Sequence, residues 1–163
     1  MAYTTIDNPA LHFNTVLYTG NATARTITTG LTNTDLIWIK RRDSTSNHRL
    51  TDVIRGATKM LSSNNVNATQ TSAQAVTALG TDTFSLGTDS GGYDVNANSQ
   101  TYVSWNWSAN GTGSANTDGG INSTVSVNNT AGFSIVQYGT GTGSATTVGH
   151  GLNAKPNFII VKP

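Results

Sequence analysis

Leu36-Ile37-Trp38-Ile39-Lys40 is an unbroken apolar run closed by a lysine. A short continuous run of this kind, flanked by polar residues, reads as a strand covered on both faces, so it is expected inside a sheet. Working outward, residues 13–18 and 25–29 form two earlier strands, separated by a turn at Gly20-Asn21. Residues 48–52 and 58–61 follow, with Arg55-Gly56 between them. Residues 75–79 and 83–86 read as a hairpin across Gly80-Thr81-Asp82. Residues 102–108 alternate: Val103, Trp105 and Trp107 are expected to face the core, and Tyr102, Ser104, Asn106 and Ser108 to face outward. Tyr93 and Tyr102 are accordingly expected at the surface. Residues 65–78 read as a loop with room for one short helical turn. Strands this short, separated by turn residues, predict an all-β antiparallel sandwich.

Composition agrees. Of 163 residues, 28 are Thr, 18 Asn and 15 Ser, while all eight acids are Asp. Thr favours strands, Asn and the 17 Gly favour turns, and good helix formers other than Ala are scarce. The net charge of +1 supplies no global field for nucleic acid or an anionic membrane. Seven of the nine basic residues fall between Arg25 and Lys59, a cluster read as a solvated strand end and loop. Without Cys there is no disulfide or thiolate metal site. The opening Met1-Ala2-Tyr3-Thr4-Thr5-Ile6 lacks the basic and apolar regions of a secretory signal, and no run approaches the roughly 18 apolar residues of a membrane span.

The chain also repeats itself. Phe13-Asn14-Thr15-Val16-Leu17-Tyr18 is echoed by Phe133-Ser134-Ile135-Val136-Gln137-Tyr138. Each stretch runs through a Gly/Thr-rich turn to a Gly-Leu pair, Gly30-Leu31 or Gly151-Leu152. Each ends in an apolar strand closed by lysine, the second being Phe158-Ile159-Ile160-Val161-Lys162. Four landmarks in the same order read as a duplication. The organisation expected is an N-terminal arm (residues 1–12), a β-sandwich (13–109), a linker or connecting hairpin (110–132) and the first strands of a second repeat (133–163). Three strands cannot cover both faces of Phe158, Ile159, Ile160 and Val161. Either the chain continues past Pro163, or a neighbouring subunit or the first domain covers them.

Several stretches together carry a family resemblance. They are Leu17-Tyr18-Thr19-Gly20-Asn21, Trp38-Ile39-Lys40-Arg41-Arg42, and His48-Arg49-Leu50-Thr51-Asp52 through Arg55-Gly56-Ala57-Thr58-Lys59. Tyr102-Val103-Ser104-Trp105-Asn106-Trp107 and the restart Gly132-Phe133-Ser134-Ile135-Val136 complete the set. The chain resembles the repeated domains of tail-fibre and other structural proteins of marine bacteriophages. The resemblance implies a concanavalin-like (jelly-roll) β-sandwich repeated along a virion protein, and offers no catalytic residues to carry over.

Chemistry is sparse. Sandwich glycosidases usually employ paired carboxylates, commonly Glu, and this chain has no Glu. Asp89, Asp94 and Asn96 share the loop Thr88-Asp89-Ser90-Gly91-Gly92-Tyr93-Asp94 and its continuation, and are the one calcium candidate. Turn formation is the competing reading. His12, His48 and His150 accompany no nucleophile elbow. Gly139-Thr140-Gly141-Thr142-Gly143 lacks the Lys-Ser/Thr ending of a phosphate loop and reads as a hairpin loop. The expectation is a non-enzymatic virion module without cofactors, a tail fibre or its particle-proximal part. It would associate with copies of itself as a homotrimer, the number coming from what fibres usually are, and with other virion proteins. Its assembly contact would be Phe158, Ile159, Ile160 and Val161, and its residues 1–12 would anchor it to the particle. No nucleic acid or membrane insertion is expected. The alternatives are a lectin-like module binding a host surface glycan, with unknown site residues, and a capsid decoration or head-fibre protein.

Overall fold

The apolar run from Leu36 does become an interior strand in the computed structural model, which describes residues 6–141, 143 and 145–163. The strands are β1 (Phe13–Thr19), β2 (Arg25–Thr28), β3 (Leu36–Arg41), β4 (Arg49–Asp52), β5 (Lys59–Met60) and β6 (Gln70–Thr71). They continue as β7 (Val76–Leu79), β8 (Thr83–Leu86), β9 (Thr101–Trp107), β10 (Ser114–Asn116), β11 (Ser123–Asn128) and β12 (Phe133–Tyr138). β3 lies between β9 and β4 in a sheet ordered β1-β9-β3-β4. A second sheet runs β2-β8-β7, a third β10-β11-β12, and β5 pairs with β6. All of these ladders are antiparallel. The fold is all-β and sandwich-like, and no sheet closes into a barrel. Among the described residues the one helical element is a 3-10 turn, Pro9–Leu11, whose Ala10 amide donates to Asn8 Oδ1.

The core lies between the first two sheets. Tyr18, Ile37, Ile39 and Tyr102 come from one sheet, and Ile27, Val76, Phe84 and Leu86 from the other, with Met60, Ala75 and Val95 alongside. Each large apolar side chain removed from water this way contributes about 1.5–3 kcal/mol. The rings of Tyr18 and Tyr102 stack with centroids 5.1 Å apart. Tyr18 Oη donates to the Val95 carbonyl at 2.7 Å, and Tyr102 Oη accepts the Ala97 amide. Burial raises both phenols, Tyr102 to about 12, so these hydroxyls stay neutral hydrogen-bonding groups.

The alternation in β9 is real, but its faces are the reverse of the expectation. Tyr102, Ser104 and Asn106 are fully buried, whereas Trp105 and Trp107 are half-exposed on the other side; Val103, though on that side too, is covered. The reason is register. Asn106 pairs with Asn14 and Ile37, Ser104 with Val16 and Ile39, and Tyr102 with Tyr18 and Arg41. The inward residues of β1 and β3 therefore oblige these three to point inward too. Ser104 is small enough to sit between Val16 and Ile39. Asn106 Nδ2 is satisfied by the Asn14 carbonyl at 3.0 Å and by Ser104.

Other expectations also shift. Residues 65–78 contain no helical turn but β6 and the start of β7, consistent with their Thr and Ser content. The basic cluster is not merely solvated. Arg49 is buried, donating to the Tyr93 carbonyl, Ser62 Oγ and Gln70 Oε1. Arg55 binds Asp52, and Arg41 binds Asp43, Asp94 and Gln100. Only Arg42 and Lys59 of the seven are exposed. Of the N-terminal arm, residues 1–5 lie outside the described residues. Residues 8–12 are tied down, since the Thr32 amide donates to the Leu11 carbonyl and the Ser108 amide to the His12 carbonyl. Residues 110–132 carry β10 and β11, which join β12 in one sheet.

The two echoed stretches share more than sequence. Asn14 Nδ2 donates to the Thr29 carbonyl at 2.7 Å, and Ser134 Oγ donates to the His150 carbonyl at 2.6 Å. The next residue in each copy is a left-handed glycine, Gly30 at φ 73° and Gly151 at φ 71°. The following amide, Leu31 or Leu152, donates to the side chain two residues back, Thr29 Oγ1 or His150 Nδ1. The same turn is thus built twice. The copies then part. Residues 158–162, the counterpart of Leu36-Ile37-Trp38-Ile39-Lys40, form no strand. Phe158, Ile159, Ile160 and Val161 are 79%, 68%, 54% and 65% exposed. Their expected strand is absent because no flanking ladder offers backbone partners, whereas β3 has one on each side.

Candidate functional site

Strand alternation places the residues that do not face the core together on the outer face of the β1-β9-β3-β4 sheet. The cross-strand rows there are Phe13-Trp107-Leu36-Asp52, Thr15-Trp105-Trp38-Leu50 and Leu17-Val103-Lys40. All three tryptophans lie on this face, as do Phe13 at 41% and Leu17 at 60% exposure. Trp38 and Trp105 meet edge-to-face at 6.0 Å. Trp38 Nε1 donates to His48 Nδ1 at 2.8 Å, which fixes that imidazole as an acceptor. Burial, with the nearby Lys40 ammonium, holds His48 below its ordinary value, so the acceptor form is favoured.

At one corner the face deepens into a cleft of about 340 Å³, lined by Ile6, Pro9, His12, Phe13, Trp107, Ala131, Gly132 and Phe133. Trp107 is the floor of an aromatic cluster, tilted against Phe13 at 5.0 Å and stacked on Phe133 at 6.1 Å. The wall is held by His12 Nδ1 and Asn128 Nδ2 at 3.3 Å, with Asn128 also donating to the Ser108 carbonyl. The cleft therefore joins the start of the first copy, Phe13, to the start of the second, Phe133. Sequence reasoning missed it because Trp107 was assigned to the core. The signal that was present is the phenylalanine opening each copy.

A second hollow, of about 440 Å³, is lined by Asp118, Gly119 and residues 147–153. Its shape follows from close backbone packing, the Gly149 amide donating to the Asp118 carbonyl and a Cβ on Gly149 meeting Asn116 Oδ1 at 2.3 Å. His150 sits in the turn described above.

The calcium candidate is structural. Asp89 Oδ1 accepts the Tyr93 amide, and Asp89 Oδ2 accepts the amides of Val95 and Asn96, at 2.9–3.0 Å. Asn96 Nδ2 donates to the carbonyls of Thr23 and Gly87, and its Oδ1 accepts the Asn21 amide. Asp94 faces Arg41. Asp89 is spent on the loop's own amides, Asn96 ties the loop to residues 21–23 and Gly87, and Asp94 pairs with Arg41 of β3; Asp89 and Asp94 have positive φ, as turn residues do. Among the described residues no group of three or more His and Asp side chains is placed to hold a metal. Of the Gly139–Gly143 loop, Thr142 lies outside the described residues.

A family model, the domain of unknown function DUF7483, matches residues 8–163, and the chain belongs to that family. The match spans both copies and the sheet between them. No curated protein and no solved structure matches the chain.

Proposed function

We propose that this chain is a non-catalytic building module of a bacteriophage virion appendage, a tail fibre or its particle-proximal part, and that residues 158–161 make its assembly contact. One observation carries the reading. Four consecutive large apolar side chains are more than half exposed in a chain that elsewhere folds the same kind of segment into the middle of a sheet. Contiguous exposed apolar surface of this kind marks interaction sites in soluble proteins. The virion setting rests on the resemblance in the strand and turn motifs. Sedimentation velocity of the chain across a micromolar series, beside Ile159→Asp/Ile160→Asp, tests the assembly half. Association by the native chain and its loss in the variant are expected, and a native chain that stays monomeric throughout overturns the reading. Electron microscopy of particles labelled with an antibody to this chain tests the setting; label on the capsid shell would favour a decoration protein instead.

A glycan-binding role is the second reading, favoured by the half-exposed Trp38, Trp105 and Trp107 on one sheet face. Sugars stack on such rings. Quenching or a blue shift of tryptophan emission by an oligosaccharide panel at millimolar concentration would support it, and an unresponsive spectrum would count against it.

A further inference from the structure

We infer that Asp118 is a site of spontaneous covalent modification, an aspartate that isomerises to isoaspartate through attack by the Gly119 amide. Such a reaction needs an Asn or Asp followed by a residue small enough to let its amide nitrogen reach the side-chain Cγ. Glycine serves best, and the chain holds two such pairs, Asn110-Gly111 and Asp118-Gly119. In an unstructured peptide the asparagine reacts faster, because a carboxylate is the poorer electrophile. The fold reverses that order.

Asn110 is exposed and its side chain has no partner among the described residues, but the peptide that must react is held. The Asp35 carboxylate, 2% exposed, accepts the Ala109 amide at 2.7 Å and the Gly111 amide as well. Between them the Asn110 amide donates to Ser126 Oγ at 2.9 Å. Ring closure puts Cγ where the Gly111 amide hydrogen lies, so the bond to Asp35 has to break first.

Asp118 is placed the other way. The Gly149 amide donates to the Asp118 carbonyl at 2.8 Å, and the Gly120 amide to the Thr147 carbonyl at 2.9 Å. These two bonds flank the antiparallel pair Gly119–Val148, which is therefore a non-hydrogen-bonded pair. The Gly119 amide points away from the opposite backbone and is unbonded among the described residues. The Asp118 side chain is exposed, and its carboxylate is held by Asn116 Nδ2 at 3.4 Å. Both residues line the open hollow of about 440 Å³, where water is at hand. Glycine cannot be dispensed with at 119. Its φ is 92°, and a Cβ would lie 2.7 Å from the Thr147 carbonyl oxygen. The packing that brings residues 118–120 against 147–149 thus imposes the reactive dipeptide.

The step balances with water alone. Gly119 N bonds to Asp118 Cγ, and the carboxyl hydroxyl leaves with the amide proton as water. A second water opens the imide. Cleavage between nitrogen and Cγ restores aspartate, and cleavage between nitrogen and the Asp118 main-chain carbonyl carbon gives isoaspartate. The main chain then runs through Cβ and Cγ, one carbon longer, and the carbonyl that Gly149 holds becomes a branching carboxylate.

The test incubates the native chain for weeks at neutral pH and body temperature, beside the same chain unfolded in urea. Peptide mapping reads each site, and labelling by an isoaspartate methyltransferase is the second readout. The unfolded chain is expected to convert Asn110 ahead of Asp118. The folded chain is expected to accumulate isoaspartate at 118 and to slow Asn110 by about tenfold or more, the factor for one hydrogen bond to a charged group that must break first. Asp118→Glu keeps the charge and cannot close the five-membered ring, so label at that peptide is expected to vanish with an unchanged circular dichroism spectrum. Asn110 converting ahead of Asp118 in the folded chain overturns the inference, and so does a folded chain in which residue 118 stays aspartate throughout.

Discussion

Residues 36–40 and 158–162 share one pattern, four large apolar residues closed by a lysine, in two different situations. The first is flanked by β9 and β4, with Ile37 and Ile39 fully buried. The second follows a turn with the same two hydrogen bonds and the same left-handed glycine, yet is exposed and forms no strand. The difference shows that the turn is local and the strand is not. The turn needs its glycine, a side chain two residues back and one from the strand that opens the copy, all within its own copy, but a strand exists only where neighbouring backbone satisfies it.

The sharpest break between the two situations is expected from alanine. Ile37→Ala removes a fully buried side chain and should cost about 2–5 kcal/mol in urea unfolding. Ile159→Ala, its counterpart, should stay within about 0.5 kcal/mol in the dilute monomer. Similar losses at both would mean the second segment is packed in the same chain.

Next in size is the loop that closes the first copy and has no counterpart in the second. Asp89→Ala leaves the Tyr93, Val95 and Asn96 amides without their acceptor and should cost about 3 kcal/mol. Added calcium should leave the melting temperature of the native chain unchanged, because the Asp89 oxygens are already engaged.

The shared turn gives a smaller effect. Gly30→Ala should cost about 1 kcal/mol from its positive φ alone, since the added Cβ meets nothing closer than Asn14 Nδ2 at 3.6 Å. Gly151→Ala carries the same backbone penalty and also brings a Cβ to 3.1 Å from Val125 Cγ1 and 3.2 Å from Val127 Cγ1, so it should cost more. The smallest effect concerns His48. Its folded value lies below 6.5, so the stability linked to the Trp38–His48 hydrogen bond is fully present above the unfolded value. That stability is lost as pH falls from about 6.5 toward the lowered folded value, because the unfolded state takes up the proton first. A fluorescence titration of Trp38 in a Trp105→Phe/Trp107→Phe background should therefore show a midpoint below 6.5.

The interior position of β3, the hairpin across Gly80-Thr81-Asp82 and the repeated turn were legible because each depends on short-range pattern. Which face of β9 looks inward was not. A period of two is the same whichever side is buried, and the bulk of Trp105 and Trp107 suggested the wrong side. Ile37, Ile39, Val16 and Tyr18 settle it across the strands, and that register is not written in β9. The same error hid the cleft, because it removed Trp107 from the surface. The roles of Asp89, Asp94 and Asn96 were hidden for a different reason. Spacing cannot distinguish carboxylate oxygens aimed at a cation from oxygens already bound by the loop's own amides.

Hydrogen–deuterium exchange at residues 158–162, followed across a concentration series, tests the central claim most directly. The amides of Ile159, Ile160 and Val161 are expected to exchange freely in the dilute chain and to become protected as concentration rises. Protection of 158–162 that is already present at the lowest concentration, or exchange that stays fast at the highest, would contradict the account.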